Sequence, residues 1–369
     1  MNIAFLVFLN IIFLVIAIFF SIIPFLTRKT ESFGVTIPEE VYNEQEVVSI
    51  RKSYRNSVVV FGIVFLTLLN VLFFILPSVV FQLYYFLIYI FELTIFFVFY
   101  IRGHYRMKRL KENKKWSEGK KEFVVASLKS IGNQFSPLWI IYYLIIMLIT
   151  LWIGIVFYDR IPEKVVIHWD TNFNPNKWVS KTYFLILFPV IMQLFLSVIF
   201  FISYYVIIRA REQIDPAKPE ESFERVRIFK KIWANFIVFA GFLMLSIFLF
   251  MQISFIVNFS PQFIMVVIFG LTGVIVLASF IISVFVGQGG SRLKLSKERG
   301  NKDLIVRDDD KYWKLGLFYF NPDDPAVFVE KRFGIGWTFN WARPLSWVLL
   351  LGLFLLMGAI MVLSIAGLK

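Results

Sequence analysis

Eight stretches of this chain run for 20 residues or more with almost no ionised side chain, at about 3–26, 57–76, 79–101, 137–158, 182–208, 232–257, 262–286 and 345–367. Such a run crosses a hydrocarbon layer of about 30 Å as a helix, where every backbone amide must be satisfied internally. With 59% hydrophobic residues and 45 phenylalanines, the chain carries more apolar surface than a soluble core can hide. The expected fold class is therefore an all-α polytopic membrane protein. It has about eight transmembrane helices and a small antiparallel β unit in the last cytoplasmic loop. The first run lacks a basic leader and a small-residue cleavage site and is followed by its positive charges, so it reads as a retained span. The sequences around Pro77 and Pro261 split the second run from the third and the sixth from the seventh, as tight helical hairpins.

Charge sets the expected orientation. Loops one, three, five and seven hold 33 of the 38 Lys and Arg residues, and the remaining loops with the C-terminal tail hold five. The excess belongs on the cytoplasmic side, which places the odd loops inside and both termini outside a bacterial cytoplasmic membrane. Trp139, Trp152, Trp178, Trp233, Trp341 and Trp347 fall near proposed span ends, as an interfacial aromatic belt requires. Five regions follow: a three-helix part with basic loops (1–136), a two-helix unit (137–208), a helical hairpin region (209–286), a β-rich cytoplasmic module (287–344) and a last helix (345–369).

The loops carry local signals. In loop one, Thr36, Pro38 and Glu39 form a capping-box pattern, and Val47, Ile50 and Tyr54 recur at helical spacing. They predict a short amphipathic helix, lying along the inner membrane face or packed on its neighbours. Loop three is the most basic segment, a helix solvated and facing anionic lipid, with His104 in a structural role. In loop seven, Leu315–Phe320 and Ala326–Lys331 read as strands around a turn at Asn321–Pro325, with Gly336–Asn340 as an optional third strand and Asp323 and Asp324 as turn formers. "GQGGS" at 287–291 is a glycine-rich span exit, too weak for a phosphate loop.

Chemistry is sparse. There is no cysteine, so disulfides and thiolate sites are excluded. No phosphate loop, nucleophile elbow or zinc-protease motif occurs. No metal, no cofactor and no catalytic set is expected. Glu92 stands inside the third run, where a carboxylate is costly. It is either a proton- or ion-coupled site or a helix-packing group, with Asn70, Gln82, Gln193, Asn235 and Gln252 as candidate partners. The polar island between the fourth and fifth runs holds His168, Trp169, Asp170, Pro175, Trp178 and Lys181. Asp170, Asn172 and Asn174 begin like a calcium loop, but Pro175 stands where glycine is required and Lys181 where a bidentate glutamate is required. The island reads as a compact turn with the His168 ring hydrogen-bonded inside it.

The stretch "VIHWDTNFNPNKWVSK" resembles the motif of a membrane domain of unknown function, the family numbered 1648. His168, Trp169, Pro175, Trp178, Ser180 and Lys181 match it as they stand. Phe173 and Val179 occupy positions where glycines are common, and only glycine enters positive φ freely. Residues 312–340 resemble a cytoplasmic module numbered 5808. Proteins with the first motif include immunity proteins against a sporulation-delaying toxin. That resemblance implies an outer loop that senses and inner loops that transmit. The leading expectation is a non-enzymatic immunity or envelope-stress sensor. Its partners are membrane lipids, an extracellular peptide or toxin and a cytoplasmic regulator, with no direct nucleic acid. The alternative is an ion- or proton-coupled transporter using Glu92. A third reading, a membrane enzyme using His168 and Asp170, ranks below both.

Overall fold

A computed structural model describes residues 3–116, 121–123, 137–170, 173–216, 218–293, 295, 304–306 and 308–367. Among the described residues, eight helices are long and apolar enough to cross a membrane. They are α1 (Ile3–Ile22), α2 (Gln45–Ile75), α3 (Ser78–Lys114), α4 (Ile140–Val156), α5 (Tyr183–Arg209), α6 (Pro219–Ser254), α7 (Pro261–Val286) and α8 (Pro344–Gly367). The chain is a multi-pass membrane protein. Its strands are short: β1 (Glu31–Ser32), β2 (Val35–Thr36), β3 (Lys121–Phe123), β4 (Lys164–Trp169), β5 (Pro175–Ser180), β6 (Leu304–Val306), β7 (Trp313–Lys314), β8 (Phe318–Tyr319), β9 (Phe328–Glu330) and β10 (Trp337–Phe339). They pair β1 with β2, β4 with β5, β7 with β8 and β9 with β10, all antiparallel, and β3 with β6 in parallel.

The chain divides into two compact units. One comprises residues 1–128, 211–229 and 282–342. In it α1, α2 and α3 pack through aromatic rings: Phe13 lies edge-on to Phe65 at 5.6 Å and to Tyr89 at 5.4 Å. Asn10 and Asn70 exchange two side-chain amide hydrogen bonds, each 3.0 Å, between α1 and α2. Reciprocal pairing satisfies both amides where water is scarce.

Loop one differs from its expectation. Thr36 caps no helix; its amide and hydroxyl donate instead to Asp310 Oδ1 at 3.1 and 2.9 Å. Residues 39–43 form a 3₁₀ turn, and α2 begins at Gln45 and continues without a break into the span. Val47, Ile50 and Tyr54 are buried in the unit's core, so of the two expected placements the segment takes the packed one, as the start of α2. Likewise α3 carries its helix beyond the apolar run to Lys114, and Lys121–Phe123, expected as helix, is strand β3. The rest of that basic segment, at 117–120 and 124–136, lies outside the described residues.

Two hairpin tips meet on α3. Between β1 and β2 only Phe33 and Gly34 turn the chain, both at positive φ (50° and 74°), as a two-residue type I′ hairpin requires. Between β7 and β8 the turn places Leu315 and Gly316 at φ 54° and 70°. Leu315–Phe320, expected as one strand, is therefore folded back on itself. Tyr100 on α3 donates its hydroxyl to Leu315 O at 2.8 Å, and His104 Nδ1 lies 2.8 Å from Phe33 O. The Phe33 ring, wholly buried at a strained φ, stacks on Phe333 at 5.7 Å.

The second unit comprises residues 129–210, 230–281 and 343–369. Gln193 of α5, wholly buried, donates through Nε2 to Thr150 Oγ1 of α4 at 2.8 Å and to Leu245 O of α6 at 3.0 Å. Tyr143 of α4 donates to Val238 O of α6 at 2.9 Å, and Gly241 leaves room for that phenol.

Gly34 faces Gly316 backbone to backbone, and a methyl group on it would overlap the Gly316 carbonyl. Gly34→Ala is expected to destabilise the folded protein by about 2 kcal/mol or more, from positive φ and the clash together. A detergent thermal-unfolding scan that left the midpoint unchanged would contradict this contact.

Candidate functional site

The polar island is a β-hairpin. Sequence reasoning predicted a compact turn and missed the strands, although "VVIHW" is β-prone. Its base is anchored within the second unit: Ile161 and Val165 are buried with Leu185 and Ile186 of α5 and Phe255. Lys181 N donates to Glu163 O at 2.9 Å, and Thr182 caps α5 by accepting from Leu185 N at 3.2 Å. Lys181 Nζ lies 4.6 Å from the centre of the Tyr158 ring, which stacks on Tyr183. Lys181 thus fixes the hairpin's exit onto α5.

Towards the tip, His168 is exposed and its Nδ1 lies 2.6 Å from Asn176 Oδ1, across the strands. Asp170 closes the turn: Oδ1 accepts from Asn174 N at 2.9 Å, and Asp170 N donates to Asn174 O at 2.9 Å. Phe173 adopts φ 65°, so this position uses left-handed backbone without a glycine. Val179 does not; it is buried opposite Val165 in the ladder. Trp169 pairs with Pro175, and register shifts flank His168. Trp178 is half exposed, and the other residues of β5 apart from Val179 face outward. Asn172 of the calcium-like pattern lies outside the described residues. The carboxylate of Asp170 is committed to the turn.

Glu92 sits on α3 with no exposed surface. Among the described residues neither carboxylate oxygen has a hydrogen-bond partner. Of its suggested partners, Asn70 is taken by Asn10 and Leu66 O, and Gln193 by Thr150 and Leu245.

A third cluster was not foreseen. Arg332 is 1% exposed as a side chain and reaches Asp309 and Asp310 through its two terminal nitrogens. Nη1 also donates to Gly34 O at 3.0 Å, and the guanidinium lies over Trp313. Burial opposes its charge, but Asp309, Asp310 and Glu31 outweigh burial and hold it above its usual range. Burial would likewise raise the Asp310 carboxyl; Arg332 and Lys111 overcome that and hold it at about 2. Nearby, Arg28 bridges Gln213 and Glu330, while Glu31 accepts from Gln213 at 3.0 Å and from Gln288 at 3.1 Å. The "GQGGS" exit thus serves as a buried joint through Gln288, whose amide N donates to Leu26 O at 2.9 Å. Asp324 is more than a turn former, since it accepts from Tyr319 Oη at 2.9 Å and pairs with Arg211. Asp323 is one: its amide donates to Asn321 Oδ1 at 3.0 Å. No local pattern announces the Arg28–Glu330, Lys111–Asp310 or Arg211–Asp324 pairs, because their partners lie far apart in sequence.

The hairpin and its flanking helices match the model of a domain of unknown function, DUF1648, over residues 145–192. A second match, to a family of unknown function, DUF5808, covers residues 322–347, which hold β9, β10 and the Asp324 turn. No curated protein and no solved structure matches the chain. The matched segments are the anchored hairpin and the second half of the module containing Arg332.

Glu31 carries a pH signature. Burial raises its carboxyl from an ordinary 4.5 to about 7, despite Arg28 and Arg332. Between those values the folded chain keeps a proton that the unfolded chain has lost, so stability falls as pH rises from about 4.5 to about 7. Glu31→Gln is expected to flatten that slope in thermal unfolding followed against pH. An unchanged slope would remove Glu31 as its source.

Proposed function

We propose that this protein is a non-enzymatic sensor or immunity protein against membrane-active peptides, with the 164–180 hairpin as its recognition surface. One observation carries the reading. The hairpin is held firmly at its base by Ile161, Val165 and Lys181, yet presents His168, Pro175 and Trp178 to the outside. A half-exposed tryptophan on a fixed strand is costly to leave uncovered and suits an aromatic anchor for a partner. The polar groups support binding over catalysis, because His168 faces an amide and Asp170 closes a turn. The proposed orientation follows the charge asymmetry, with the hairpin and both termini outside a bacterial cytoplasmic membrane and the Arg332 module inside. Membrane lipids and a cytoplasmic regulator complete the proposed partners.

A second reading, a proton- or ion-coupled transporter, rests on the wholly buried Glu92, which has no hydrogen-bond partner among the described residues. It requires that Glu92→Gln abolish substrate movement while the protein still accumulates and folds.

The sensing reading is tested with a deletion strain and a strain expressing His168→Ala with Trp169→Ala. Both are challenged with a panel of membrane-active peptides and toxins, with protein level followed by blot. Sensitivity to at least one peptide should rise roughly tenfold or more in both strains, the scale of losing an anchor worth about 2 kcal/mol. Normal resistance to the whole panel in both strains, with the variant present at normal amount, would defeat the proposal.

A further inference from the structure

The outward face where α2 and α3 leave their apolar runs forms a groove. Two adjoining cavities of about 380 and 860 Å³ share Ser53, Ser57 and Phe99. On α2 the groove is lined at helical spacing by Ser49, Lys52, Ser53, Asn56 and Ser57, then by Val60, Phe61 and Val64. The stripe thus changes from polar to apolar along the helix axis. From Lys52 to Val64 it covers about 18 Å at 1.5 Å per residue. On α3 the change runs the other way, from Phe99 to Arg102, Arg106 and Arg109, so both helices cross from grease to charge at the same level. That crossover is where a bilayer's headgroups meet its acyl chains.

The electrostatics are one-sided. Lys52, Arg102, Arg106 and Arg109 all line the groove and are exposed, and among the described residues no carboxylate lines it. None of the four forms an ion pair with another described residue. The contrast within the same helix is direct, since Lys111 and Lys114 are paired with acidic residues. Arg106 Nη1 donates to Ser53 Oγ at 3.2 Å, which fixes a guanidinium beside the serine hydroxyls. Val60 and Val64 are 61% and 60% exposed, so the apolar half of the groove is open too.

We propose that this groove is a specific site for one anionic phospholipid, bound independently of the hairpin. The phosphodiester would sit among Arg102, Arg106, Lys52 and the hydroxyls of Ser53 and Ser57, and one acyl chain would lie along Val60, Phe61, Val64 and Phe99. Charge complementarity chooses an anionic headgroup over a zwitterionic one. The continuous apolar half chooses a lipid over a free oxyanion, which would leave those side chains uncovered.

The test uses the full-length protein purified in detergent, probed with phosphatidylglycerol and phosphatidylcholine. Binding is read by native mass spectrometry and by the shift in thermal midpoint. The wild type should bind phosphatidylglycerol at least about tenfold more tightly than phosphatidylcholine. Lys52→Gln with Arg106→Gln should abolish that preference and leave phosphatidylcholine binding unchanged. Arg102→Gln with Arg109→Gln, a second pair that spares the Ser53 contact, should do the same if the first pair fails to fold. A control pair outside the groove, Lys108→Gln with Lys314→Gln, removes equal charge and should retain the preference. The proposal is overturned if wild type shows no preference, if the groove variants keep it, or if the control loses it equally.

Discussion

The buried guanidinium of Arg332 is the interaction on which the first unit depends. A charge with 1% of its side chain exposed survives only if its partners are fixed, and here they are Asp309, Asp310, the Gly34 carbonyl and the Trp313 face. The contacts join two segments about 300 residues apart in the chain. Because Asp310 also accepts from Thr36 and Lys111, one carboxylate ties the first hairpin, α3 and the last module into a single arrangement. The strained turns at Phe33–Gly34 and Leu315–Gly316 follow from it. Their tips must approach backbone to backbone, and the buried ion pairs and aromatic stack offset the strain of doing so.

Within the apolar runs a different rule holds. Lipid gives no hydrophobic reason for one span to touch another, so close packing and a few amides do the joining. Asn10 with Asn70 fills that role in one unit, and Gln193 with Thr150 and Leu245 in the other. Glu92 is the exception, a carboxylate at membrane depth that no described side chain satisfies.

The spans were legible because lipid imposes a pattern on sequence that almost nothing else imitates. Their extensions were less so: α2 begins well before its apolar run because Val47, Ile50 and Tyr54 have a protein core to enter, which periodicity alone cannot distinguish from a membrane surface. The β unit was legible in kind. Its register was not, because Leu315 takes a positive φ that a leucine gives no reason to expect. In the 164–180 hairpin, the asparagines and Pro175 advertised the turn and concealed the strands beside it. His168 is hydrogen-bonded as expected, but from an exposed strand position and across the ladder rather than inside a turn, and Asn176 as its partner required the register. Arg332 was invisible, since nothing in "KRFGIG" distinguishes a buried arginine from a solvated one.

The most direct measurement is hydrogen exchange on the full-length protein and on Arg332→Met, both in detergent. Loss of the guanidinium takes a buried partner from both Asp309 and Asp310, leaving Arg211 near the first and Lys111 and Thr36 on the second, at a cost of up to about 3–5 kcal/mol. Amides of residues 31–37 and 313–319 are expected to lose protection together in the variant, while those of α4 and α5 keep theirs. If residues 31–37 stay as protected as in the wild type, Arg332 does not hold the first hairpin to the last module.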